Sequence, residues 1–195
     1  YYCAVPWGQT SAVSAASAGY VTSTAASLGN ASDASQLLQN MTEGTAGELL
    51  FTVKVSVLEN ELGDAITGAT VTSGAGGATA CVEPAVADGS YYCPVPDGQT
   101  SAVTAVYAGY ITGAAVSLGN AAAAGPQRAQ DMSAGTAGEL LYTVMVTALE
   151  DELGNTITGA TVTSGAGGAV GCVEPAVADG SYYCPVPNGE TSETT

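Results

Sequence analysis

Histidine is absent from the 195 residues, and the only basic side chains are Lys54 and Arg128. Without histidine the chain lacks the most common general base and metal ligand, so we do not expect an enzyme or a cofactor. Nucleic-acid binding is not expected either, because a phosphate backbone must be met by clustered cations. The same lack argues against docking on anionic lipid head groups.

Long runs of leucine or isoleucine are also missing. The most apolar window, residues 102–124, owes its apolarity to alanine and valine and is interrupted by polar residues and glycine. We therefore expect no membrane insertion.

Acidic residues number 18 and give a formal net charge of −16, yet charged residues make up only 10% of the chain and hydrophobic ones 46%. This balance is not that of a disordered acidic tail.

A long internal repeat dominates what is present. The run GELLFTVKVSVLENELGDAITGATVTSGAGGA begins at Gly47 and returns almost unchanged at Gly138, an offset of 91 residues. These are the first and second repeats. A partial third copy opens the chain, where YYCAVPWGQTSAV at Tyr1 matches YYCPVPDGQTSAV at Tyr91 with an offset of 90. Near-identical copies are typical of proteins in which a structural surface is multiplied, not an active site.

Each repeat has the pattern of β-strands. Apolar residues alternate with polar ones from Phe51 to Val57, a period of two. A polar turn follows at 59–64, then a predicted strand at 66–72 that Gly74 ends. Further short strands are predicted at 91–95, 102–107 and 110–118. Many short strands separated by glycine and proline favour a β-sandwich.

These elements resemble the carboxypeptidase-regulatory-like, or transthyretin-like (Ig-like), β-sandwich family. The resemblance is carried by GDAITGATV from Gly63, DGSY from Asp88, VPDG from Val95 and AGY from Ala108. It implies an all-β chain of tandem sandwich modules repeating about every 91 residues, and a mostly non-catalytic role. We expect Gly63 and its counterpart in the second repeat to take the positive φ of a tight turn. Gly68 is expected to permit a close approach of backbones.

The repeat pattern predicts five segments. Residues 1–29 are the C-terminal half of a module and could supply donated strands. Residues 30–43 and 120–134, which repeat least, are predicted linkers around a complete module at 44–119. Residues 135–195 are the N-terminal part of a second module, to be completed by following chain or by a neighbouring subunit.

Five cysteines allow two equivalent disulfides. The pairs Cys81/Cys93 and Cys172/Cys184 share a spacing of 12 residues on neighbouring predicted strands. We predict both as disulfides, which indicates an oxidising compartment. Zinc is the alternative, but two cysteines without histidine make a poor zinc site. Cys3 corresponds to Cys93 and is expected to be free or joined to another subunit.

Two other features concern ligands. The sequons at Asn30 and Asn40 are candidate glycosylation sites, so covalent glycans are one expectation. The acidic turns at 59–64 and 150–155 could bind calcium, but they lack the EF-hand spacing, and a solvated hairpin turn is the simpler interpretation.

The sequence as a whole predicts a structural subunit of an extracellular filament, pilus-like fibre or surface layer. Its partners would be further copies of itself, assembled head to tail, with no nucleic acid and no membrane insertion. An adhesin stalk or cell-surface binding module is the alternative.

Overall fold

The structure is a computed structural model that describes residues 1–32 and 36–195. It is all-β, with fourteen strands in the described part of the chain. The strands are β1 Tyr20–Thr22, β2 Leu49–Phe51, β3 Val53–Leu58, β4 Thr70–Ser73, β5 Thr79–Ala80, β6 Tyr91–Cys93, β7 Val103–Val106, β8 Tyr110–Thr112, β9 Arg128–Met132, β10 Leu140–Tyr142, β11 Val144–Val146, β12 Thr163–Ser164, β13 Val170–Gly171 and β14 Tyr182–Cys184. Within these residues no helix is long and apolar enough to cross a membrane.

The strands form six small sheets. Two have three strands, in the orders β6-β3-β9 and β5-β4-β7, and four have two strands, β1-β2, β8-β10, β11-β14 and β12-β13. All pairs are antiparallel except β3 with β9, which is parallel. A parallel pair requires a long crossover, and here the crossover contains β4 to β8.

One apolar core draws on both three-stranded sheets. The alternating residues Val53 and Val55 of β3 are fully buried, as the period of two predicts. They share the core with Val71 of β4 and Val103 of β7 in the other sheet. The disulfide between Cys81 and Cys93 adjoins the same core.

Some pairs of equivalent strands recur with the same register. β1 pairs with β2 by Tyr20 opposite Phe51, and β8 pairs with β10 by Tyr110 opposite Tyr142. The 3-10 turn at Ala75–Gly77 recurs at Ala166–Gly168 between β12 and β13. Similar residues therefore take similar local structure at both places.

Three details differ from the sequence-based predictions. The strand predicted at 66–72 is only Thr70–Ser73, because Gly68 has a φ of +71° that no strand allows. Nothing lies within 4 Å of a Cβ built on Gly68, so the predicted close approach there is wrong. The strand predicted at 110–118 ends at Thr112.

The segment predicted as a second linker contains a strand. Within 120–134, β9 pairs with β3 and places the side chain of Met132 in the core with no exposed surface. The polar sequence of β9 hides this strand, since only Gln130 and Met132 are buried. Of the first predicted linker, residues 33–35 lie outside the described residues.

Candidate assembly interface

Thr52 lies between β2 and β3 and hydrogen-bonds to two distant parts of the chain, so that three segments meet at this residue. Its backbone N–H donates to the carbonyl of Gly19 at 3.0 Å. Its hydroxyl Oγ1 lies 2.9 Å from that carbonyl and 2.9 Å from the carbonyl of Val95, and accepts from Val95 N at 2.8 Å. The side chain is 1% exposed, so these bonds are shielded from water. We refer to this meeting of Gly19, Thr52 and Val95 as the first joint.

A second joint has the same construction 90 to 91 residues later. Thr143 N donates to the carbonyl of Gly109 at 3.1 Å. Thr143 Oγ1 lies 2.9 Å from that carbonyl and 2.8 Å from the carbonyl of Val186, and accepts from Val186 N at 2.8 Å. Each joint therefore connects the end of one repeat to the beginning of the next by the same bonds.

Each joint also includes a glycine that packs against a proline. A Cβ built on Gly19 would lie 2.7 Å from the carbonyl oxygen of Pro94, and one built on Gly109 would lie 2.6 Å from that of Pro185. Both glycines have a positive φ, +85° and +87°. Only glycine permits this conformation and this contact at once.

Replacing Gly109 by alanine should therefore weaken the second joint. The positive φ alone costs about 1–2 kcal/mol, and the clash with Pro185 should add about 1–3 kcal/mol. Urea unfolding measures the loss. Gly119→Ala is the matched control, since Gly119 has a φ of +75° with nothing within 4 Å of the added Cβ. Equal losses for the two variants would show that the contact with Pro185 has no effect.

A row of aromatic rings lies along each joint. The ring centroids of Tyr20 and Phe51 are 5.0 Å apart, and those of Phe51 and Tyr92 are 5.6 Å apart. The second joint repeats this row with Tyr110, Tyr142 and Tyr183, at 4.8 Å and 5.7 Å. Such tilted pairs stabilise a contact beyond the area that they bury. The rows therefore reinforce both joints.

The acidic turn at 59–64 docks onto the next repeat. Leu140 N donates to the carbonyl of Glu59 at 3.2 Å, and Glu61 N donates to the carbonyl of Leu140 at 3.1 Å. Asn60 is 2% exposed and donates from Nδ2 to the hydroxyl of Tyr142 at 3.0 Å. The turn is thus a contact between repeats. The equivalent turn of the second repeat is exposed, with Leu153 at 82%.

The docked turn contains a carboxyl group with a shifted pKa. Burial raises the pKa of Glu61 above its ordinary value, the hydrogen bond from Tyr142 N partly opposes this, and the charge of Glu139 raises it further. The folded state therefore binds this proton more readily than the unfolded chain does. Stability contributed by the protonated group is lost as pH rises through the folded pKa.

Glu61→Gln should consequently raise stability at neutral pH by about 0.3–0.5 kcal/mol and flatten the pH dependence above the ordinary pKa of a glutamate. The glutamine oxygen can still accept from Tyr142 N. Thermal unfolding at several pH values measures the effect. Glu152→Gln at the exposed turn is the control and should leave the thermal stability unchanged. A stabilisation equal to that of Glu61→Gln would indicate a general charge effect.

The cysteines lie where the two disulfides require. Cys81 is joined to Cys93 and Cys172 to Cys184, with Cα–Cα distances of 4.2 and 4.3 Å. Cys3 is free and exposed. Its neighbour Tyr1 is fully exposed, whereas the equivalent Tyr91 is 2% exposed. The first YYC segment thus shares its sequence, but not its packing environment, with the segments at Tyr91 and Tyr182.

The remaining predicted residues are at the surface. Asn30 and Asn40 are both exposed, as a glycan attachment site requires. In the part of the chain that the structure describes, no group of three or more acidic or cysteine side chains is placed to hold a metal ion. The turn at 59–64 uses its polar groups for hydrogen bonds within the turn and to the next repeat.

Sequence reasoning missed the joint residues. Thr52 and Thr143 occupy polar positions of an alternating pattern that usually face solvent, and their partners lie 33 to 43 residues away. A signal was nevertheless present in the sequence. The tripeptide Ala-Gly-Tyr recurs after 90 residues, and the threonine and the Cys-Pro-Val run both recur after 91.

Comparisons with known proteins give no relative. No family model, no curated protein and no solved structure matches this chain.

Proposed function

We propose that this protein is a structural subunit of an extracellular filament, pilus-like fibre or surface layer, built head to tail from repeated β-sandwich units. This proposal rests on the joint between repeats, which occurs twice with the same hydrogen bonds, the same glycine–proline contact and the same aromatic row. A contact that is repeated with fixed geometry extends a chain in a defined direction.

The composition of the joints supports a passive role. Each joint is held by backbone groups, a threonine hydroxyl and tilted aromatic rings, none of which is a nucleophile, an acid or a base in a cleft. The protein is therefore proposed as a scaffold and not as an enzyme. The two disulfides fit an oxidising environment, and the extracellular location is part of the proposal.

The proposed sandwich has an observable basis in the first repeat. The sheets β6-β3-β9 and β5-β4-β7 both contribute to one core, and the disulfide links the strand β6 of one sheet to the end of β5 in the other. Two sheets that share a core through their inner faces are the arrangement of a β-sandwich. The transthyretin-like resemblance remains part of this proposal.

Negative-stain electron microscopy of the purified protein at increasing concentration tests the function. A filament subunit should give uniform particles that lengthen with concentration and have a regular axial repeat. Isolated short rods of constant length at every concentration would contradict it and favour the adhesin stalk. The variant Gly109→Ala, which disturbs one joint, should shorten the particles, whereas Gly119→Ala should not.

A further inference from the structure

The strands β3 and β11 are equivalent, but they differ in their partners. β3 is flanked on both edges, by β6 and by the parallel strand β9. β11 pairs with β14 alone among the described residues. One edge of β11 therefore presents backbone N–H and C=O groups with no strand beside them.

The side chains of β11 are less buried than the equivalent side chains of β3. Val53, Val55 and Leu58 have no exposed surface, because β9 covers them. Their counterparts Val144, Val146 and Leu149 are only half-buried. The outward side chain between the two valines, Met145, is 48% exposed. The β11 edge is thus a partly exposed apolar surface. The pairing of β3 with β9 shows the strand arrangement that covers the equivalent edge in the first repeat.

The chain contains a second segment with the sequence pattern of β9. Residues 36–41 read QLLQNM, and residues 127–132 read QRAQDM, so Gln36, Gln39 and Met41 match Gln127, Gln130 and Met132 at an offset of 91. The segment 36–41 is in no strand, and Leu38 is 82% exposed. It lines a groove of about 900 Å³ together with Tyr1, Tyr2 and Cys3.

We propose that β11 of one molecule pairs in parallel with residues 37–41 of a second molecule of this chain. This inference rests on the proposed head-to-tail assembly and names its contact. The first repeat supplies the register: Val53 lies opposite Arg128, Lys54 opposite Ala129, Val55 opposite Gln130 and Leu58 opposite Met132. Shifted by 91 residues, the register places Val144 opposite Leu37, Met145 opposite Leu38, Val146 opposite Gln39 and Leu149 opposite Met41.

The side chains at these positions suit a contact between molecules. Within the chain, Lys54 stands opposite Ala129, a charged residue beside a small one. Between molecules, Met145 stands opposite Leu38, and both are now exposed apolar side chains. Their association would remove both from water. The pair formed between molecules is therefore more apolar than the equivalent pair within the chain.

The other lining of the groove does not prevent docking. Residues 1–5 make no backbone hydrogen bond to the rest of the described chain, and Tyr1 and Tyr2 are exposed. Tyr1–Cys3 has the same sequence as β14, which already pairs with the opposite edge of β11. The place that Tyr1–Cys3 would take on β11 is therefore occupied. The incoming strand thus displaces a segment that is held by no backbone bond.

Cysteine trapping between two molecules tests the register. One chain carries Cys3→Ser and Met145→Cys, and the other carries Cys3→Ser and Leu38→Cys, so only the introduced thiols are free. Neighbouring strands are about 4.8 Å apart, within the range of a disulfide. A matched mixture replaces Met145→Cys by Thr147→Cys, which lies two residues further along the chain, just after β11, and about 8 Å from Leu38 in this register. All three positions are exposed, so the variants should fold.

The mixture with cysteines at 145 and 38 should give at least about fivefold more cross-linked dimer than the mixture with 147 and 38, measured by non-reducing electrophoresis and intact mass. Equal yields, or none, with filaments still seen by microscopy would overturn this contact and leave the proposed function standing. Selective cross-linking without filaments would support the contact and contradict the filament. Neither cross-links nor filaments would contradict both.

Discussion

Replacing Thr52 by valine should lower the free energy of unfolding by about 2–3 kcal/mol. Valine keeps the shape of the side chain but removes the hydroxyl that contacts the carbonyls of Gly19 and Val95 and accepts from Val95 N. Buried groups left without a partner cost about 1–3 kcal/mol each. The side chain is 1% exposed, so water cannot replace the lost bonds. Urea unfolding followed by circular dichroism measures the change.

Thr143→Val is the matched control for this prediction. Thr143 makes the same bonds in the second joint, but the residue is exposed, and water can take the place of its hydroxyl. We expect this variant to lose less than half as much stability as Thr52→Val. Losses of the same size would show that burial does not determine the strength of a joint. A loss below about 0.5 kcal/mol for Thr52→Val would show that its hydroxyl does not hold the repeats together.

Removing the disulfide of the first repeat should have the other large effect. In the chain-entropy model a loop of this length contributes about 3 kcal/mol, so Cys81→Ala with Cys93→Ala should lower stability by about that amount. Cys93 has no exposed surface, and the cavity left by its sulfur should add to the loss. Reduction of the wild-type protein breaks both disulfides, so it should lower stability by at least as much as the double substitution.

Cys3→Ser provides the control for the disulfide prediction. Cys3 is exposed and in no disulfide, so its replacement should leave the unfolding midpoint unchanged. Stability that is indifferent to reduction and to the double substitution would contradict the structural role of the Cys81–Cys93 bond. A change caused by Cys3→Ser would indicate a contact of Cys3 that is absent from the structure.

The features that the sequence predicts are those that depend on neighbours along the chain. Alternation over a few residues was enough to predict that Val53 and Val55 face a core, and both are fully buried. The equal spacing of the cysteines led to the two pairs that the structure joins. The glycine at the acidic turn, Gly63, takes the positive φ that its position predicts.

The features that the sequence does not predict depend on distant partners. β9 is polar at three of its five positions and has no alternating apolar pattern, so nothing local marks it as a strand. Its place is fixed by β3, whose register begins with Val53 opposite Arg128. The same holds for the joints, because the role of Thr52 is visible only when Gly19 and Val95 are brought beside it. Docking of the turn at Asn60 onto Tyr142 spans 82 residues.

A helical reconstruction of the assembled protein by cryo-electron microscopy addresses the assembly most directly. We expect continuous filaments in which successive repeats, within a molecule and between molecules, are separated by one constant distance and joined end to end. The joints at Thr52 and Thr143 should then be superimposable in the density. Molecules that associate through their sides, that are joined at variable angles, or that remain single at all concentrations would contradict a chain built for length.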